Sequence, residues 1–295
     1  MKRSFFALMM LIFVVVLPSR AERTTVRLLA IGNSFSCNSV EQHLHEIAKA
    51  DSVDLIIGNL YIGACSIDMH VRNIRNDAKA YSYRKIGSDG VMVVTTKYKL
   101  SDAIKDESWD YVTVQQVSGL SGILSSYDNL PFLVSWVRQN APQARVLFHQ
   151  TWAYAKEATH PDFARYDHDQ AKMSAAILQA SSQAARQVGI DTIIPCRKAI
   201  DLWREHMPET SVTIDGFHLE PRLARYLASA TWYATISGHR MLGNSYFPEK
   251  VTPEELALAQ TIADLAVFGS EPFLKVRLPF SGKNPTNTSA GPKNE

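Results

Sequence analysis

Ser34, Asp215 and His218 are residue types that together perform nucleophilic acyl transfer, and each stands where the chain is expected to turn. Ser34 follows the apolar run Leu28-Leu29-Ala30-Ile31 and the pair Gly32-Asn33, which reads as a strand delivering a serine to the edge of a sheet. A serine hydroxyl is a weak nucleophile until a base takes its proton. Asp215-Gly216-Phe217-His218 offers that base: three residues apart on a tight turn, the aspartate holds one imidazole nitrogen while the other faces the serine. A lone Asp-x-x-His also arises by chance, and Ser34, Ser36 and Asn38 all have the chemistry of helix caps. Ser36, further into the helix, is the rival nucleophile.

Attack on a carbonyl creates an oxyanion that needs fixed donors. In an open parallel sheet such groups collect at the carboxyl ends of the strands. The candidates there are the Ser34 N–H at a helix start, the Gly63 N–H after Tyr61-Ile62, and a carboxamide from the adjacent pair Gln115-Gln116. Trp152 and Tyr154 follow another strand end and form either a sugar-stacking wall or ordinary packing. His43 and His45 are two apart in a helix and so face different ways, and the other histidines lack ligand spacing; neither a metal nor a cofactor is expected. Cys37, Cys65 and Cys196 contain no C-x-x-C pair, and their odd number leaves one without an intrachain partner. Cys37 and Cys65 each follow a strand end, so a disulfide between them and two buried thiols are both open.

These groups require a scaffold that brings strand ends together. β-rich runs at 26–31, 55–61, 111–115, 145–149 and 192–195 alternate with amphipathic stretches at 39–49, 66–78, 130–140 and 169–188, the pattern of a parallel sheet covered on both faces. Two more helices are expected at 222–237 and 253–267, the second opening with Thr252-Pro253-Glu254-Glu255. The segment 83–99 breaks the alternation, because Ser88-Asp89-Gly90 is a turn between two β-rich arms, and it reads as an inserted hairpin. The expected organisation is a signal peptide at 1–21, one α/β domain at 22–278, and a disordered tail at 279–295 with little to bury.

The signal peptide rests on Lys2 and Arg3 before an apolar segment that is too short to span a membrane, followed by Pro18-Ser19-Arg20-Ala21. An exported, periplasmic protein without a stable membrane span is the expectation. The 31 basic and 29 acidic residues are scattered, so no basic face for nucleic acid stands out and small or neutral partners are favoured. Oligomeric state is not legible.

In chain order, the Gly32-Asn33-Ser34-Phe35-Ser36, Gly63 and Asp215-Gly216-Phe217-His218-Leu219 segments resemble the blocks of the SGNH hydrolase superfamily, the GDSL-like esterases and lipases. With Trp109-Asp110-Tyr111-Val112 and Gln115-Gln116, they are similar to a branch catalogued as a domain of unknown function, DUF4886. The resemblance implies a flavodoxin-like three-layer α/β/α fold with a five-stranded, mostly parallel sheet, Ser34, His218 and Asp215 as catalytic triad, and Ser34 and Gly63 in the oxyanion hole. The usual G-x-N-D block is absent, so a glutamine would replace its asparagine. Adjacent strand residues point to opposite faces, so Gln116 is the first choice and Gln115 the second. The expected function is an exported serine esterase removing acetyl or similar O-acyl groups from an oligosaccharide or polysaccharide. A lipid or thioester hydrolase with the same triad, and a non-catalytic glycan-binding module, are the alternatives.

Overall fold

The structure, a computed structural model, describes residues 24–269; the segments read as a signal peptide and a disordered tail lie outside the described residues. The elements run β1 (Thr24–Gly32), α1 (Ser34–Val40), α2 (Leu44–Ala50), β2 (Val53–Tyr61), α3 (Ile67–Arg75), β3 (Tyr81–Ile86), β4 (Met92–Tyr98), α4 (Leu100–Asp106) and β5 (Tyr111–Val114). They continue with α5 (Leu130–Asn140), β6 (Arg145–His149), α6 (Gln170–Gln187), β7 (Ile193–Ile194), α7 (Cys196–His206), α8 (Ala224–Ser237) and α9 (Pro253–Phe268). One sheet forms in the order β4-β3-β2-β1-β5-β6-β7.

β2, β1, β5, β6 and β7 are parallel, with Leu28 to Ile31 of β1 in register between Ile57 to Leu60 and Tyr111 to Val114. The sheet has more strands than the five expected. The hairpin is no separate insertion but extends the sheet: β3 pairs antiparallel with β2, and β4 with β3. Burial of Tyr81 and Tyr83 on one face and of Ile86 on the other fixes β3 there.

Strand β1 lies at the centre and shows why its sequence is apolar without alternation. Leu28 and Ala30 pack into one core with α1, α2, α7, α8 and α9, while Leu29 and Ile31 pack into the other with α3, α4 and α5. Helix α6 serves both, Met173 and Ile177 joining the first core and Ala180 and Ala184 the second. Truncating one such residue, as in Leu29→Ala, removes about 2–5 kcal/mol of stability.

Helix starts follow their side-chain caps. Asn33 Oδ1 accepts the Phe35 N–H at 3.0 Å and opens α1 at Ser34, ahead of the expected start. The helix read over 39–49 is two, α1 and α2, because the chain leaves helical hydrogen bonding after Val40. Thr252 and Glu255 form a reciprocal capping box at α9, as their spacing predicts. Helices α4 and α7 lie outside the stretches read as helical.

Candidate active site

Ser34 is the first residue of α1, at the carboxyl end of β1, so its N–H has no helical acceptor and faces outward from the helix start. His218 Nε2 lies 2.8 Å from Ser34 Oγ, and His218 Nδ1 lies 2.7 Å from Asp215 Oδ2. With the carboxylate accepting, Nδ1 carries the ring proton and Nε2 is free to accept the serine proton. The turn is built for this. Asp215 Oδ1 also accepts the N–H groups of Phe217 (3.1 Å) and His218 (2.8 Å), and Ile214 N–H donates to the His218 carbonyl at 2.9 Å. Gly216 takes φ +91°, where a Cβ would meet the Ala158 backbone at 2.9 Å, so the turn needs glycine. Partial burial alone would raise the Asp215 pKa, but the hydrogen bonds from His218 and Phe217 outweigh it and hold the carboxyl below its ordinary value.

Three contacts tie this turn to the serine. Asn38 Oδ1 accepts the Leu219 N–H at 2.8 Å, Arg225 Nε donates to the Leu219 carbonyl at 2.9 Å, and Trp152 Nε1 donates to the Phe217 carbonyl at 2.8 Å. Trp152 stacks on Phe35 with ring centroids 4.3 Å apart. Both Trp152 and Tyr154 are fully buried, so they are packing and not an exposed sugar-stacking wall. Ser36 is buried too, its Oγ 2.7 Å from the Asn33 carbonyl and 2.9 Å from Asn59 Oδ1, which removes it as a rival nucleophile.

Both glutamines are held in structural hydrogen bonds. Gln116 Nε2 donates to Ser126 O (2.6 Å) and Oγ (3.1 Å), while its Oε1 accepts the N–H groups of Ile67 and Val117. It closes the loop after β5 onto the start of α3. Gln115 Nε2 donates to Asn33 Oδ1 at 2.8 Å, and its Oε1 lies 2.7 Å from His149 Nδ1. The first choice is therefore corrected: the Gln116 NH₂ is spent on Ser126, as buried amides next to polar loop backbone are drawn into structural bonds. Gly63 sits exposed in the turn 62–65, closed by the Cys65 N–H to the Ile62 carbonyl at 3.3 Å. Asn33 Nδ2 donates to the Cys65 carbonyl at 3.0 Å, tying that turn to the residue before Ser34.

Asn33 is thus a junction whose role the sequence did not disclose. His149, Gln115, Asn33 and Cys65 form a buried chain of hydrogen bonds across the ends of β6, β5, β1 and β2. Gly32 allows it, since a Cβ there would lie 2.5 Å from Ser36 Oγ and 3.0 Å from Gln115 Oε1. Asn59, a polar residue inside an apolar strand, was the readable sign of a second cluster: it donates to Glu41 Oε1 at 2.5 Å, and Arg84 reaches the same carboxylate at 2.9 Å. Cys37, Cys65 and Cys196 are all free thiols. Behind the 213–219 hairpin lies a groove of about 1160 Å³, lined by residues including Ala155, Arg204 and Thr213 but by none of Ser34, Asp215 and His218.

A family model described as a domain of unknown function (DUF4886) matches residues 27–266, nearly the whole of the described structure. The chain belongs to the DUF4886 family. A crystal structure of a DUF4886 family protein from Bacteroides uniformis is 43% identical, with a TM-score of 0.81 over 82% of this chain and 95% of that one. More distant likenesses include a candidate SGNH hydrolase from Slackia heliotrinireducens (18% identity, TM-score 0.49, 73% of this chain and 100% of that one). Another is the family 3 carbohydrate esterase of Clostridium thermocellum (10% identity, TM-score 0.45, 73% and 96%). No curated protein matches the sequence. This DUF4886 chain carries the α/β fold with helices on both sides of a central sheet that the SGNH resemblance implied.

Proposed function

We propose that this chain is an exported serine esterase that removes acetyl or similarly small O-acyl groups from carbohydrate. The observation that carries the reading is the unbroken line from Ser34 Oγ through His218 to Asp215, with both contacts at hydrogen-bond length. Ser34 Oγ attacks the ester carbonyl while His218 Nε2 takes its proton. The oxyanion is held by the N–H groups of Ser34 and Gly63, both backbone donors at turns. His218 then protonates the departing sugar oxygen, leaving acyl-Ser34, and in the second half it deprotonates the water that releases the carboxylic acid. Asp215, held ionised by its hydrogen bonds, orients His218 and balances the imidazolium.

Beside the serine, Phe35 is buried and stacked on Trp152, a packed surface in keeping with a small acyl group. The rim carries the exposed Ile214 and the half-buried Phe217 and His160, which pack edge to face at 5.0 Å and offer a sugar ring apolar contact. Export is supported by the signal-peptide pattern of residues 1–21.

The test is acetate release from acetylated xylo-oligosaccharides by the mature protein and by Ser34→Ala. Loss of at least about 10³-fold in the variant is expected, and equal rates would end the reading. A chain-length series of acyl esters separates it from lipid or thioester hydrolysis: activity should fall steeply beyond acetyl.

A further inference from the structure

Strand β4 ends the sheet, and its outer edge pairs with nothing among the described residues. Natural edge strands are usually blunted by charge, proline or brevity. Over residues 91–94 this one is not: Val91, Met92, Val93 and Val94 are 59%, 44%, 62% and 51% exposed, four consecutive residues among the few large apolar side chains of the described residues that stand out in solvent. Because side chains alternate along a strand, Val91 and Val93 show apolar surface on one face and Met92 and Val94 on the other. A one-sided patch would suit a helix or a membrane. Apolar surface on both faces, beside an open edge, suits another strand.

The ladder fixes which residues are open. Gly87 N–H donates to the Val91 carbonyl at 3.4 Å, making that a hydrogen-bonded pair of the hairpin. Antiparallel ladders alternate, so Val93 opposite Lys85 and Thr95 opposite Tyr83 also turn their backbone groups inward. Met92 and Val94 turn theirs outward. The regular edge ends just beyond, where the register shifts and Lys97 adopts φ +56°.

We propose that β4 pairs antiparallel with β4 of a second copy of this chain, about a two-fold axis through Val93. In that register Met92 faces Val94 of the other copy, so the two outward residues exchange both their N–H and C=O groups, twice by symmetry. Val93 faces Val93, and Val91 faces Thr95. The strand is thus complementary to itself in hydrogen bonding and in apolar contact, as a two-fold contact requires. A slip by one residue would set the outward groups of one copy against the inward groups of the other. The two sheets become one continuous sheet, which removes the exposed edge of each.

The experiment is sedimentation velocity on the full mature chain over a wide concentration range. A dimer is expected for the natural sequence. Val94→Pro deletes an outward N–H without touching the hairpin ladder, and Val93→Lys sets two like charges together; each is expected to weaken the dimer at least tenfold with circular dichroism unchanged. A monomeric natural protein, or a dimer indifferent to both Val94→Pro and Val93→Lys, would each overturn the proposal.

Discussion

The Ser34 hydroxyl has the His218 imidazole within reach because Asn38, Trp152 and Arg225 hold the backbone of residues 217–219 from three directions. In the proposed triad Asp215 contributes orientation more than charge. In Asp215→Asn the amide cannot accept the Nδ1 proton as a carboxylate does, and its NH₂ favours the wrong tautomer. The expected outcome is a fall in kcat of about 10²–10⁴-fold with KM nearly unchanged, read from initial rates on an acetyl ester. The convergence of Ser34, Asp215 and His218 was legible because few other residue types suit such a triad. The glutamines misled for a physical reason: a carboxamide donates equally well to a ligand or to a loop carbonyl, and only the surrounding backbone decides. At Gln116 that backbone is Ser126, and at Gln115 the partner is Asn33.

Between strands, the chain His149–Gln115–Asn33–Cys65 runs in one direction, each member donating to the next. Gln115→Glu keeps an acceptor for His149 but cannot donate to Asn33. The Asn33 amide then loses its orientation, and with it the turn that presents Gly63. A drop in kcat of about tenfold or more with little change in KM is expected, since one oxyanion donor is worth about 2.7–4 kcal/mol and this change misplaces it without deleting it. Steady-state kinetics with a thermal melt as control reads the difference. At α9, Thr252→Ala removes half of a capping box and should lower unfolding stability by about 1 kcal/mol, measured by denaturant titration. Helix α5 coincides with the stretch read from sequence, because a clean apolar face and the Leu130-Pro131 start leave one solution. Helices α1 and α2 did not, because the apolar pattern of 39–49 continues through a break that only the Asn33 cap and the site geometry require.

Across the molecule, burial makes acid the solvent condition to which the fold is most exposed. His70 and His149 are fully buried, and burial pushes both down to about 3 from an ordinary 6.5. As pH falls below 6.5 the unfolded chain takes up protons at these positions while the native state does not. Their stabilisation is therefore complete above about 6.5 and is lost toward 3, at up to about 1.4 kcal/mol per pH unit for each. The depressed Asp215 acts in the same direction at lower pH. Melting temperature should decline steadily from pH 7 to pH 4, and a flat profile would show that these rings are not buried neutral. The parallel sheet was readable from runs such as Leu28 to Ile31, since only a strand covered on both faces is apolar throughout. The outward edge of β4 was not, because a strand's neighbours are set by the whole sheet. The most direct measurement is the mass of the intact protein after treatment with a fluorophosphonate, followed by peptide mapping. One adduct is predicted, with fluoride lost and phosphorus bonded to Ser34 Oγ, and it should be absent in His218→Ala. No adduct on the natural protein, or an adduct on Ser36, would contradict the assignment of Ser34 as nucleophile.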